Sequence, residues 1–172
     1  MSRRGERFAG AFADVAERIA RRGSYLLGEE LEAFERELAA WIDAGHAAGV
    51  ASGASALQLA LTAAGVGPGD DVLVPAFTAV PTASAVVAAG ATPVAVDVDR
   101  ATACLTPGAI EHATTTRTRA VIVVHLYGYP AELPPPGGDL IVIEDAAQAM
   151  GALGPPGRSR AAAYSFYPTK NL

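Results

Sequence analysis

A lysine near the end of the sequence, Lys170, stands in a segment that suits covalent chemistry. The segment reads Tyr164-Ser165-Phe166-Tyr167-Pro168-Thr169-Lys170-Asn171-Leu172, with a serine five residues before the lysine. The amine of a lysine in a formed pocket can condense with the aldehyde of a cofactor and give a Schiff base. A lone lysine near a chain end is more often only solvated, so Lys170 is a candidate in combination with other residues.

Two further segments carry residues that suit ligand binding. Ser52-Gly53-Ala54-Ser55 precedes a helical pattern, where backbone N–H groups and the helix dipole can hold a phosphate. Glu144-Asp145-Ala146-Ala147-Gln148 ends an apolar run, and buried acids are costly unless they are paired. Each segment has a simpler alternative, because small polar residues and Asp145 can equally serve as helix caps.

In combination, the three segments match the needs of a pyridoxal 5'-phosphate site. The Gly53 segment would anchor the phosphate, and Asp145 would stabilise the protonated pyridine nitrogen. Lys170 would hold the cofactor aldehyde as a Schiff base. The sequence therefore predicts pyridoxal phosphate as the cofactor and no metal site. An α/β domain without a cofactor is the alternative that these residues leave open.

The elements that would position these residues alternate between helical and strand patterns. This alternation predicts an α/β fold with a mostly parallel sheet. Helical patterns cover about residues 29–42, 53–65 and 80–89. Strand patterns cover residues 71–74, 92–97, 120–125 and 140–145, with a further candidate at 162–166. The crossover at 131–138 contains three prolines and two glycines, so no helix is predicted there.

Composition and charge exclude several classes of protein. The chain has 172 residues, enough for one domain with a real core, and no run of eighteen apolar residues that could span a membrane. A net charge of -5 argues against partners such as nucleic acid or an anionic membrane. The single cysteine, Cys104, excludes an internal disulfide and is typical of a cytoplasmic protein.

The chain resembles the N-terminal half of the DegT/DnrJ/StrS-type sugar aminotransferases of the aspartate-aminotransferase (fold type I) superfamily. The most specific motifs are Glu-Asp-Ala-Ala-Gln at 144–148 and Ser-Phe-Tyr-Pro-Thr-Lys-Asn at 165–171. Matching segments also occur at residues 23–28, 52–57, 74–78, 90–94 and 125–128. The resemblance implies an aspartate-aminotransferase-like large domain, with a mostly parallel sheet and flanking helices.

The resemblance also implies a role for each candidate residue. Lys170 would bind the cofactor and move a proton between the donor Cα and the cofactor, and Asp145 would pair with the pyridine nitrogen. Gln148 would lie near the 3-oxygen of the ring. Ser165 and the backbone of Gly53-Ala54 would bind the phosphate. A lysine at position 170, where related sugar dehydratases replace it, is typical of the transaminating branch.

The implied activity is transfer of an amino group from glutamate or glutamine to a keto sugar carried on a nucleotide. The partners would be the nucleotide sugar, the amino-acid donor and, in the full-length family, a second copy in a homodimer. Such enzymes often serve antibiotic or polysaccharide pathways in the cytoplasm. His125 and Tyr127 are predicted to be structural rather than catalytic, because His125 ends a buried strand.

The chain departs from the family pattern in four places. Ala54 stands where the family usually has a hydroxyl, and no aromatic residue stands at Ala79. The proline-glycine run at 131–138 replaces the family's crossover helix, and the family's C-terminal part is not in the sequence. We therefore expect residues 1–172 to form an incomplete, C-terminally truncated large domain without the small domain, inactive alone.

Two other functions remain open from the sequence. The first is a non-catalytic, pyridoxal-phosphate-binding or regulatory remnant that associates with another subunit. The second is a different fold type I lysine enzyme, such as a cysteine desulfurase or a β-eliminating lyase. The spacing from Ser165 to Lys170, together with Gln148, argues against this second function.

Overall fold

The computed structural model describes residues 3–135, 138–152 and 159–170, in two compact units, Met1–Gly49 and Val50–Leu172. The first unit contains helices α1 (Arg3–Arg22) and α2 (Glu29–Trp41). Only α2 was predicted from the sequence. Its Glu35 accepts a hydrogen bond from the backbone N–H of Gly49 at 2.6 Å, which fixes the end of the unit to the helix. Among the described residues, none of the helices has the length and apolar character needed to cross a bilayer.

The second unit is built on a sheet of five parallel strands, in the order β2-β1-β3-β4-β5. The strands are β1 (Asp71–Pro75), β2 (Thr92–Val96), β3 (Thr118–Val124), β4 (Ile141–Asp145) and β5 (Ala161–Ala163). The helices are α3 (Gly53–Ala63), α4 (Val80–Ala88) and α5 (Pro107–Ala113). This architecture confirms the predicted α/β fold with a parallel sheet and flanking helices.

Burial along the strands explains why the apolar runs form this sheet. The last five residues of β3 are all buried, as expected for a central strand covered on both faces. The edge strand β2 is mostly exposed or half-buried. Helix α3 packs against β4, β5 and α4, and its Leu57 and Leu61 are almost completely buried. Each such leucine stabilises the fold by about 1.5–3 kcal/mol through the apolar surface it buries.

Two connections bear on the sequence predictions. The described part of the crossover from β3 to β4 contains no helix beyond a single 3-10 turn at Leu126–Gly128, so the proline-rich run has no helix through Pro135, as predicted, while residues 136 and 137 lie outside the described residues. Helix α5 was not predicted, because it has only seven residues and begins at Pro107. Thr106 caps it by accepting a hydrogen bond from the backbone N–H of Ala109 at 3.2 Å.

Candidate functional site

The carboxyl ends of β3, β4 and β5 lie side by side. Val124 and Ala163 are the register partners of Asp145 on either side. The backbone N–H of His125 donates to the carbonyl of Asp145 at 3.1 Å, and that of Ala146 donates to the carbonyl of Ala163 at 2.8 Å. The segments that leave these strands therefore start at one edge of the sheet, where open α/β folds bind ligands.

Asp145 is almost completely buried, and neutral groups hold its carboxylate. Thr82 Oγ1 donates to Oδ2 at 3.0 Å, and the backbone N–H of Ala147 donates to Oδ1 at 3.2 Å. Within the described residues, no lysine, arginine or histidine forms an ion pair with this carboxylate. The two groups that hold the Asp145 carboxylate are therefore a hydroxyl and a backbone N–H, both neutral.

Gln148 lies on the turn that follows Asp145, and its amide orientation is fixed by a neighbouring loop. The backbone N–H of Tyr127 donates to Gln148 Oε1 at 2.6 Å. Because an N–H can only donate, the oxygen of the amide must face Tyr127 and its NH₂ group is the donor end. Tyr127 has φ 54°, a left-handed conformation that is uncommon for residues other than glycine. Such local strain is often found at functional sites.

Lys170 and Gln148 line the same cavity, together with Tyr127 and Thr169. The cavity has a volume of about 330 Å³, which lies at the lower end of the range for small-molecule sites. The backbone N–H of Lys170 donates to the carbonyl of Tyr167 at 2.8 Å, which holds the turn that carries the lysine. The side-chain nitrogen of Lys170 forms no ion pair with any acidic residue in the described part of the chain.

The beginning of α3 lies beside Ser165. A Cβ atom built on Gly53 would lie 3.4 Å from the Cβ of Ser165 and 3.8 Å from its Oγ. Ser52 is the N-cap of α3 and accepts a hydrogen bond from the backbone N–H of Ser55 at 3.1 Å. Within the described chain, the N–H groups of Gly53 and Ala54 have no protein acceptor. The segment is thus both an N-cap and a set of unused donors next to a hydroxyl.

Two buried residues, His125 and Glu144, and the half-buried Ser159 form a cluster next to the site that was not singled out from the sequence. His125 is 1% exposed, and its Nε2 lies 2.8 Å from Glu144 Oε2. Its Nδ1 accepts a hydrogen bond from the backbone N–H of Ala131 at 3.0 Å, so the ring proton is on Nε2 and is donated to Glu144. Ser159 donates a short hydrogen bond to the other oxygen of Glu144. The interpretation of His125 as structural agrees with this arrangement.

Glu144 has a shifted pKa, and its charge also affects Tyr164. Burial by itself would raise the pKa of Glu144, but the hydrogen bonds from His125 and Ser159 and the nearby His125 ring lower the pKa below its ordinary value. The pKa of Tyr164 is raised, first by burial and then by the negative charge of Glu144. Glu144 is therefore a buried carboxylate with its own dedicated donors.

The structure brings the predicted site residues together in part, and Asp145 is not among the residues that line the cavity. Gln148 and Lys170 share one cavity, Asp145 precedes Gln148 by one turn, and Gly53 lies next to Ser165. Ala54 contributes only its backbone. The last two residues of the predicted lysine motif, Asn171 and Leu172, lie outside the described residues.

The class of protein follows from the fold. The chain superposes on the crystal structure of Streptomyces venezuelae DesV in complex with a ketimine intermediate, with a TM-score of 0.87 and 43% identity over 98% of this chain and 48% of that one. It also matches the putative sugar aminotransferase Spr1654 from Streptococcus pneumoniae in its PLP form, with a TM-score of 0.75 and 27% identity over 84% of this chain and 43% of that one. The fold is that of the fold type I aminotransferases.

The family is set by the sequence match. The model of the DegT/DnrJ/EryC1/StrS aminotransferase family matches residues 8–172, and the chain belongs to this family. This confirms the resemblance inferred from the motifs.

Two proteins of known activity are similar to this chain in sequence. The dTDP-3-amino-3,4,6-trideoxy-alpha-D-glucose transaminase of Streptomyces venezuelae is 50% identical over 165 residues, which are 90% of this chain and 43% of that protein. The UDP-N-acetyl-3-dehydro-alpha-D-glucosamine 3-aminotransferase of Acidithiobacillus ferrooxidans is 47% identical over 158 residues, which are 87% of this chain and 43% of that protein. The chain thus spans somewhat less than half the length of the relatives it matches.

Proposed function

We propose that this chain supplies the pyridoxal-phosphate site of an aminotransferase that acts on keto sugars linked to nucleotides. The observation that carries the proposal is that Lys170 shares a cavity with Gln148, on the turn that directly follows Asp145. The chain covers less than half of its relatives, so amino transfer is proposed as the activity of the whole protein. The described residues provide the cofactor chemistry of that activity.

The donors at the beginning of α3 fit the phosphate of the cofactor. The N–H groups of Gly53 and Ala54 stand at the positive end of the helix dipole, where an anion is favoured. The hydroxyl of Ser165 lies close enough to Gly53 to contribute to the same cradle. Because Ala54 has no hydroxyl, we expect one hydrogen bond fewer than in relatives with serine or threonine there.

The remaining residues fit the ring of the cofactor and its reactive aldehyde. When bound, pyridoxal phosphate supplies an aldehyde for covalent attachment and a ring that withdraws electrons. Lys170 would provide the amine for that attachment and later carry a proton on Nζ. Asp145 would hold the proton on the ring nitrogen through its carboxylate. Gln148 would donate from its NH₂ group to the ring oxygen.

The substrate class is proposed from the names of the relatives. One acts on a dTDP sugar and another on a UDP sugar, which supports a nucleotide-linked sugar as the amino acceptor. Glutamate or glutamine is the proposed amino donor. A second copy of the full-length protein is the proposed partner in assembly, and the protein is proposed to act in antibiotic or polysaccharide biosynthesis.

A covalent labelling experiment tests this proposal directly, because Lys170 is the only lysine in the sequence. The 172-residue protein is incubated with pyridoxal phosphate, reduced with borohydride and digested for mass spectrometry. We expect one cofactor mass on the peptide that contains Lys170, and none on that peptide in Lys170→Ala or in Lys170→Arg. The N-terminal amine serves as an internal control for non-specific reaction. Labelling of that amine alone would overturn the proposed site.

A further inference from the structure

A buried threonine of α4, Thr82, connects Asp145 to the loop that follows β1. Its side chain is completely buried, at 0% exposure. Its Oγ1 lies 3.0 Å from Asp145 Oδ2 and 3.0 Å from the Oγ1 of Thr78. Thr78 is half-buried and lies between β1 and α4. A chain of three polar side chains therefore runs from the carboxyl end of β1 to the carboxyl end of β4.

The direction of both hydrogen bonds follows from the number of protons available. An ionised carboxylate can only accept, so Thr82 must donate its single hydroxyl proton to Asp145. Thr82 can then only accept from Thr78, which makes Thr78 the donor of the second bond. Consecutive hydroxyl donors polarise each other, so Thr78 strengthens the bond that Thr82 makes.

The hydrogen bond from Thr82 holds the Asp145 carboxylate from an element other than β4, the strand that carries Asp145. The backbone N–H of Ala147 holds Oδ1, whereas Thr82 holds Oδ2 from a helix on one face of the sheet. With each oxygen bound by one donor, the plane of the carboxylate is set. Each oxygen still has a lone pair with which to accept an N–H from a ligand.

We propose that Thr82 is a positioning residue that aims the Asp145 carboxylate at the pyridine nitrogen of pyridoxal phosphate, with Thr78 holding Thr82 in its donor orientation. The inference rests on the proposed function, because it takes pyridoxal phosphate as the ligand. Threonine suits this task because its branched side chain can pack in a core while its hydroxyl makes the bond.

The test compares isosteric variants in the 172-residue protein. Thr82→Val removes the hydroxyl and keeps the shape, whereas Thr82→Ser keeps the hydroxyl. Thr62→Val is the control for loss of a helical threonine hydroxyl away from Asp145, because Thr62 is exposed and its hydroxyl donates to the carbonyl of Gln58 within α3, at 3.0 Å. Pyridoxal phosphate is titrated into each protein, and the dissociation constant and the pH midpoint of the bound-cofactor absorbance are measured.

We expect Thr82→Val to raise the dissociation constant about 5- to 15-fold, less than the full worth of a hydrogen bond to a charged group, because Thr82 acts on the cofactor only through Asp145. Thr78→Val should raise it about 2- to 3-fold, and Thr82→Ser and Thr62→Val should stay near wild type. In Thr82→Val the pH midpoint of the bound-cofactor absorbance should move upward. A less well-held Asp145 stabilises the positive charge on the ring nitrogen less, and a less positive ring makes it easier to keep a proton on the Lys170 nitrogen.

Coupling to Asp145 separates positioning from simple packing. In an Asp145→Asn background the effect of Thr82→Val on the dissociation constant should nearly vanish, because the charge that Thr82 aims is gone. An equal effect in both backgrounds would overturn the inference. So would Thr82→Ser binding as weakly as Thr82→Val.

Failure of the proposed function gives a different result. If the wild-type protein bound no pyridoxal phosphate, the cofactor assignment would fall, but the hydrogen bond itself could still be judged from thermal unfolding. A midpoint lower by about 2–4 °C in Thr82→Val but not in Thr82→Ser would support the bond. Equal midpoints for wild type and Thr82→Val would overturn the inference as well.

Discussion

Glu144 and Asp145 are neighbours at the end of β4, yet their carboxylates have different surroundings. Successive residues of a strand point to opposite faces of a sheet, so the two acids meet different partners. Glu144 accepts from His125 and Ser159, while Asp145 accepts from Thr82 and one backbone N–H. Glu144 thus joins β4 to β3 and to the segment before β5. In the proposed function, Asp145 is the acid that meets the ligand.

The difference teaches how a short motif can combine two tasks. The hydrogen bonds to Glu144 hold its charge in the buried interior, and they fix the beginning of the loop that carries Tyr127. The donors of Asp145 mainly orient it. We therefore expect changes around Glu144 to act on stability and changes around Asp145 to act on cofactor binding.

The largest expected effect is the loss of stability in His125→Ala. This change leaves Glu144 buried with one donor, leaves the backbone N–H of Ala131 unpaired, and opens a cavity. Breaking such a buried pair costs about 3–5 kcal/mol in the free energy of unfolding, to be measured by urea denaturation. His112→Ala, at an exposed position of α5, is the control and should change stability by less than about 0.5 kcal/mol. A loss below about 1 kcal/mol in His125→Ala would contradict the structural role of the pair.

Asp145→Asn should change the stability of the protein little and its affinity for pyridoxal phosphate strongly. The amide has nearly the same shape, so the free energy of unfolding without cofactor should change by no more than about 1 kcal/mol. Affinity for pyridoxal phosphate, measured by absorbance titration, should fall about 10- to 100-fold, because a hydrogen bond between charged groups is lost. Glu144→Gln is the matched control, and its affinity should stay near wild type. Equal loss of affinity in both variants would remove the distinction between the two acids.

The smallest expected effect is a change with pH in the contribution of Glu144 to the free energy of unfolding. Because the pKa of Glu144 is lower in the folded protein, its stabilising contribution is complete above the unfolded pKa, about 4.3, and is lost as the pH falls through the folded value. In Glu144→Gln this contribution is absent at every pH. The difference in unfolding free energy between wild type and variant, about 1 kcal/mol at pH 7, should therefore shrink toward acidic pH. A constant difference down to pH 3 would show that the carboxylate charge is not what His125 and Ser159 stabilise.

The sequence allowed prediction of the sheet, of the helices α2, α3 and α4, and of the family. Continuous apolar runs are a strong signal for central parallel strands, which is why β3 and β4 were located to within two residues at each end. Helix α1 was missed although Phe8, Phe12, Val15 and Ile19 stand at helical spacing, and α5 was missed because it is short. Ser52 proved to be an N-cap, the simpler of its two interpretations, and this role leaves the phosphate hypothesis open.

The partners of the two acids could not be predicted. Thr82 is 63 residues from Asp145, and His125 is 19 residues from Glu144, so only the folded chain brings each pair together. A polar residue inside the apolar pattern of α4 is a weak signal, because many buried threonines satisfy themselves within their own helix. The roles assigned to Lys170, Gln148 and Ser165 remain predictions that the labelling and binding experiments test.

The position of Lys170 at the cavity also has a practical consequence. Its side chain carries the chain's only amine besides the N-terminus, and it is half-buried next to Gln148. Amine-acylating reagents would therefore have a single side-chain amine to modify, and bound pyridoxal phosphate would protect it. The fraction of Lys170 that reacts quickly with such a reagent would measure the fraction of protein without bound cofactor. This measurement needs no substrate and no spectroscopic signal.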